Sequence, residues 1–260
     1  MGLTIHYSFN AQGSDAQARQ RVHALHQAAQ DLPFKELGPV VELSGAQCNP
    51  DAHYQGDPLR WLLIQAAESV EFRPKGWGQK QACSWFDVPP TRLIAFHAWP
   101  GEGCEASNFG LCRYPTVLET HRGPLKTKLS GWCWGSFCKT QYASNPQCGG
   151  VPHFLQCHLT VIAMLDKAKK VGCLGQVSDE GGFWEKRDLQ ALVQEIGSWN
   201  EMIAALGGKL KDLLGDGPLG LQSAIAQYPN VEQLEAAGEG KLPPGFEQLA
   251  KLIQRVGQTP

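Results

Sequence analysis

The sequence predicts an α/β (or α+β) fold: a mixed sheet with β-α-β crossover units, flanked by helices, and a helical C-terminal region. Three observations lead there. Residues 4–9 and 92–97 form short apolar runs with strand character. Residues 14–32 and 152–171 place apolar side chains at helical spacing, between stop signals such as Pro33 and Gly172. The chain has 260 residues, 42% hydrophobic and 18% charged, which is enough to bury a large core.

The first strand alternates apolar and polar residues over 4–9. Ser14 or Asp15 caps the helix that follows, where Val22, Leu25, Ala28 and Ala29 share a face. A second strand over 34–43 is interrupted by Gly38-Pro39, so the opening reads β–α–β. Asp57-Pro58 starts a short helix through Trp61, Leu62, Ile64 and Ala67. After the strand at 92–97, residues 100–124 are rich in Gly, Pro, Cys and Asn without periodicity and predict a long loop. An aromatic-rich strand over 131–143, bent at Gly135, leads through a turn to a helix that starts near Pro152. That helix carries Lys167, Lys169 and Lys170 near its end, where they suit the dipole. Residues 174–178 form a short strand. Asp188 then opens a long amphipathic helix that breaks at Gly207-Gly208. The expected organisation is one domain over 1–206 and a helical extension over 207–260 packed on it.

Charge and hydropathy narrow the function classes. Lysine and arginine number 23 against 25 acidic residues, and no stretch is strongly basic, so nucleic acid is not expected as a partner. The start has neither a basic stretch nor an apolar core behind it, which predicts no secretory leader. The longest apolar runs are too short to cross a bilayer, so no membrane is expected and the location is cytoplasmic. Nine cysteines then read as reduced thiols, most of them packed as small hydrophobes.

The candidate chemistry lies between His97 and Trp184, and chiefly in the strand–loop–helix–strand over 136–178. If its two strands are parallel in one sheet, their ends converge at one edge, where open α/β sheets place ligands. That edge gathers Lys139, Gln141 and Tyr142 after one strand, His153 in the first helical turn, and Asp179 and Glu180 after the other. Gly149-Gly150 lets backbone approach an anion at a helix start. The expectation is a small polar or anionic ligand held by Gln141, Tyr142, Gly149, Gly150 and Asp179. His153 or Glu180 would be the acid/base and Lys139 the stabiliser of developing negative charge. With no cofactor fingerprint, hydrolysis or group transfer is the expected class.

Competing readings stand beside it. Zinc has candidate ligands in His97, Cys104, Cys112, Cys133, Cys138, Cys148, His153, Cys157 and His158, although no CxxC occurs. Thiol catalysis would pair Cys138 or Cys157 with His153 or His158; His153 and Cys157 are four apart and so share a helix face. His158 and His6 also read as hydrogen-bonded core histidines, and Asp179–Gly182 as a plain turn. The loop's Glu102, Glu105, Asn108 and Arg113 could serve a lid. A non-catalytic interaction module is the alternative from another class.

The run Lys139-Thr140-Gln141-Tyr142-Ala143, the helix bearing His153, and the segment Asp179-Glu180-Gly181-Gly182-Phe183-Trp184 together resemble a group of uncharacterised bacterial proteins that also open with a strand like residues 4–8. The resemblance spans that strand and roughly 136–190. It implies no reaction, only that Lys139, Gln141, His153, Asp179 and Glu180 belong together.

Overall fold

The computed structural model describes residues 3–72, 84–214 and 224–241. Strand β1 (Thr4–Ala11) alternates as predicted: Ile5, Tyr7, Phe9 and Ala11 are buried while His6 and Asn10 are exposed. Ser14 caps α1 (Asp15–Gln30) in a reciprocal box with Gln17, and Ala18, Val22, Leu25 and Ala29 form its buried face. The break at Gly38-Pro39 separates β2 (Glu36–Leu37) from β3 (Val41–Ser44). Asp57 caps α2 (Pro58–Gln65), with proline in the first turn. A hairpin of β4 (Glu68–Phe72) and β5 (Ser84–Val88) precedes β6 (Arg92–Trp99) and β7 (Ser107–Arg113). A second hairpin joins β8 (Val117–Thr120) to β9 (Gly123–Lys126), and β10 (Trp132–Lys139) follows. Then come α3 (Gly150–Val171), β11 (Leu174–Asp179), α4 (Phe183–Lys186), α5 (Leu189–Leu214) and α6 (Val231–Gly238).

The main sheet runs β11-β1-β10-β7-β6-β2, with β3 also paired to β6. Every pairing in it is antiparallel. Of the expected crossover units, β10–α3–β11 links two strands of this one sheet, but not as hydrogen-bonded neighbours. Strands β10 and β11 both run against β1, so they point the same way with β1 between them. Helices α1 and α3 cover one face, burying Ile5, Phe9, Leu25, Phe96, Phe109 and Met164 together. On the other face α2 seals the β6 region through Leu62, Leu63, Ala66, Leu93 and Ala95. A third cluster, with Leu3, Phe154, Cys157, Leu192 and Ile196, ties α3 to α5. Among the described residues no helix is long and apolar enough to cross a membrane.

Two sequence expectations fail for physical reasons. Within the predicted loop over 100–124 lies β7, a central strand whose residues 107–112 are all buried. A strand covered on both faces does not alternate, so it carries no period-two signal. Its Gly110 is a packing glycine: a Cβ there would fall against the carbonyl oxygen of Ile94 and the Ala95 side chain. Gly110→Ala is expected to destabilise the chain by roughly 1–3 kcal/mol, the usual cost of overpacking. An unchanged urea midpoint would refute that close approach.

The second failure is at Gly207-Gly208, which do not break α5; the helix runs on to Leu214, so the expected boundary after 206 falls inside it. Packing against α6 overrides the local propensity. There, a Cβ on Gly238 would strike the carbonyl of Glu201 in α5. Residues 215–223 and 242–260 of the expected extension lie outside the described residues.

Candidate functional site

Helix α3 begins after Gly149, whose φ of 113° suits glycine. One turn in, His153 and Cys157 lie on one side of it, as their spacing requires. The Cys157 sulfur is 3.6 Å from His153 Nε2. The same nitrogen is 3.1 Å from the carbonyl oxygen of Glu102. A carbonyl only accepts, so Nε2 carries the proton and presents it to both the oxygen and the sulfur.

Glu102 belongs to the connection between β6 and β7, which closes over this sulfur. A Cβ on Gly101 would lie 2.8 Å from His153 Cε1 and 2.9 Å from Cys157 Sγ. Gly103, with φ of 76°, rests on the peptide between Tyr142 and Ala143. The Trp99 indole N–H donates to the Cys104 carbonyl at 3.1 Å, and the Glu105 N–H to the Lys139 carbonyl at 3.0 Å. These bonds hold Cys104, which is partly buried, against the cluster containing Cys157. The Cys104 N–H donates to the carbonyl of Gly101, the residue whose Cβ would press on Cys157, so the Cys104 side chain sits beside that of Cys157.

That contact polarises the two thiols in opposite directions. Donation from Cys104 lowers the Cys157 thiol below its ordinary value, against the effect of burial. Cys104 is pushed far up, first by that hydrogen bond and then by burial and by the neighbouring Cys138. Burial also raises Cys138, whose thiol donates to the Glu105 carbonyl at 3.2 Å. Of the two nucleophile candidates, Cys157 therefore has the activating surroundings and Cys138 does not.

A second arrangement lies deeper. His158 Nε2 is 3.2 Å from Asp179 Oδ2, and both side chains are 0% exposed. On the other side of the ring, Nδ1 is 3.0 Å from the Thr140 hydroxyl. The carboxylate also accepts from the backbone N–H of Gly181 and Trp184, each at 2.9 Å. Burial pushes the Asp179 carboxyl up, but the His158 hydrogen bond and charge and these two N–H groups outweigh it and hold it below its ordinary value. Thr140 is also fully buried. This is the hydrogen-bonded core histidine of the plain reading, and it locks the ends of β10 and β11 to α3.

The predicted constellation thus separates into local networks. Lys139 sits over the Tyr142 ring at 4.6 Å, with its ammonium 3.3 Å from the Tyr142 hydroxyl. In β10 it follows the inward-facing Cys138, so it leans to the sheet face opposite α3 and His153. Gln141 is buried and donates to Asn200 at 3.4 Å, and its Oε1 has no partner. Glu180 accepts the Thr4 N–H at 2.9 Å and so terminates β1. Gly149 lies under His153: a Cβ there would be 3.0 Å from that of His153. Gly150 donates its N–H to the Asn145 carbonyl at 2.9 Å. Of these residues, His153 lies by the Cys157 sulfur, with Gly149 beneath it.

No family model, curated protein or solved structure matches this chain.

Of the zinc candidates, His97, Cys112, Cys133 and His158 lie away from the group around Cys157. His97 is 3.4 Å from Glu36, Cys112 faces Cys133 across β7 and β10, and His158 is held by Asp179. Among the described residues no three His, Cys, Asp or Glu side chains are grouped to hold a metal ion. Sequence reasoning missed Thr140, and it weighed Cys104 only as a metal ligand. No local pattern marks either, since both act across the tertiary fold. His6 is a further correction: it is exposed, and it lines an open cavity of about 610 Å³ on the sheet face away from α3, with Gln65, Glu68, Phe137 and Gln176.

Proposed function

We propose that Cys157 is the nucleophile of a hydrolase or group transferase that takes a small polar ligand beside His153. The observation that carries this reading is the His153 Nε2 proton shared between the Glu102 carbonyl and the Cys157 sulfur. A thiolate needs a nearby donor to persist in a buried site, and His153 supplies one. In the reaction the Cys157 thiol proton is first carried by the His153 ring; the sulfur then bonds to the electrophilic carbon of the ligand while the bond to the leaving group breaks, and His153 Nε2 delivers a proton to that group. Water then gives a proton back to Nε2 and its oxygen to the carbon as the carbon–sulfur bond breaks and the thiolate leaves. The polar rim suits such a ligand: Glu102 is ion-paired with Lys35, whose ammonium lies 4.9 Å above the Trp99 ring. All eight described cysteines are free thiols, which fits a reducing, cytoplasmic setting.

Alkylation of the full chain by iodoacetamide, mapped by peptide and followed against pH, tests the proposal. The groups by the sulfur are His153 and Cys104, with Cys138 next to them. Cys157 is expected to show an inflection below the ordinary thiol value of about 8.5. His153→Ala should move that inflection upward and slow labelling at pH 7 by roughly three- to tenfold, following the loss of thiolate. Comparing pH dependence at one site cancels its limited access. An inflection at or above the ordinary value, or one indifferent to His153→Ala, would sink the reading.

A further inference from the structure

We propose that Cys104 is the resolving thiol for Cys157, so that a hydroperoxide converts the pair into a Cys104–Cys157 disulfide and switches the site off. The inference rests on the reading of Cys157 as the reactive sulfur. Three features of the fold support it. The two thiols meet under the closing connection, one on α3 and one between β6 and β7: Cys104 packs on the cluster that holds Cys157, and its N–H donates to Gly101, whose Cβ would lie 2.9 Å from the Cys157 sulfur. Cys104 is held there from several sides, by its own N–H to Gly101, by Trp99 to its carbonyl, and by the next residue to Lys139. Cys157 is 0% exposed while Cys104 is partly open, so the oxidant must be small. Hydrogen peroxide satisfies that requirement, whereas a bulky disulfide does not.

The chemistry balances. The Cys157 thiolate attacks one peroxide oxygen, the O–O bond breaks, and the departing hydroxide is protonated to water, leaving a sulfenic acid on Cys157. The Cys104 sulfur then attacks the sulfenic sulfur, its thiol proton goes to the departing hydroxyl, and a second water leaves. Two thiols have lost two electrons and one peroxide has gained them. The neighbours of Cys157 also explain the choice of partner. Cys138 is fully buried and its thiol is engaged by the Glu105 carbonyl, whereas Cys104 is partly open, so Cys104 is the sulfur placed to attack.

The test is to treat the reduced full chain with hydrogen peroxide, then map it without reductant. The expected product has lost two of its nine alkylatable thiols, contains one linked peptide pair joining Cys104 to Cys157, and regains both thiols with a dithiol reductant. Cys104→Ser should give no such link and should accumulate a dimedone-trappable sulfenic acid on Cys157. Cys157→Ser should give neither. If the wild-type chain forms no link, or joins Cys157 to Cys138 or Cys148 instead, the inference is overturned whether or not the variants fold. The two proposals fail separately. A lowered alkylation inflection without the disulfide leaves the nucleophile standing and removes the switch. The disulfide with an ordinary inflection does the reverse.

Discussion

Replacing Asp179 with alanine is expected to lower folding stability by about 3 kcal/mol or more, at about 1–3 kcal/mol for each donor left without its acceptor. The change would strand His158 Nε2 and the N–H groups of Gly181 and Trp184, all of which donate to this carboxylate. The His158 and Gly181 donors are buried and lose their bond without a replacement, and the Trp184 N–H is part-buried. His158→Ala should cost a comparable amount, because it frees both the carboxylate and the Thr140 hydroxyl. The double variant should cost less than the two singles summed, with a coupling of about 0.5–3 kcal/mol, as expected for groups in one network. Urea unfolding measures all three. Thr140→Val, which keeps the shape and removes one hydroxyl, gives a milder check at roughly 1–3 kcal/mol should the larger changes prevent folding. A loss below about 1 kcal/mol for Asp179→Ala would contradict a buried charge with these partners.

The same carboxylate sets an acid limb. Its folded value is depressed, so its contribution is fully present above the unfolded aspartate value of about 3.9 and is lost as pH falls through the lower, folded value. Asp179→Asn removes that titration. The variant should start less stable at neutral pH and lose less stability than the parent chain on acidification below pH 4. Equal acid slopes for the two would refute the assignment.

What was legible in advance follows the range of the interactions. Helix α3 could be read almost to its ends, because its apolar spacing, its lysines and Gly172 are all local signals. The capping box at Ser14 and the break at Gly38-Pro39 were legible for the same reason. Strand β7 was not, since a strand buried on both faces has no alternation and its Gly110 mimics a turn residue. At the site, the spacing of His153 and Cys157 was visible as a shared helix face. Their partners were not, because Glu102 and Cys104 arrive from a connection some fifty residues away. The grouping of Lys139, Gln141, His153, Asp179 and Glu180 depended on parallel strands of one sheet ending at one edge, and β10 and β11 do run the same way. With β1 inserted between β10 and β11 in an antiparallel sheet, those residues reach different partners: Tyr142, Asn200, Cys157, His158 and Thr4.

Gly101→Ala is expected to separate the thiol site from its donor while leaving the fold in place. The added methyl group would be 2.8 Å from the His153 ring and 2.9 Å from the Cys157 sulfur, closer than atoms of these kinds pack. Both obstacles are side chains that can turn away, but Gly101 has a φ of 158° that L side chains rarely adopt, so stability should fall by about 2–5 kcal/mol. The chemistry should change as well. Turning His153 breaks its contact with Cys157, and lifting the connection weakens the Cys104 bond that lowers the Cys157 thiol. Burial then acts unopposed and raises that thiol. Every unit of upward shift removes about tenfold of the thiolate at neutral pH, so labelling of Cys157 at pH 7 should slow by about one order of magnitude. The urea midpoint and the alkylation profile, measured on the same preparation, separate the two consequences. A large loss of stability with an unchanged inflection would mean that the connection over 100–106 supports the core and not the thiol.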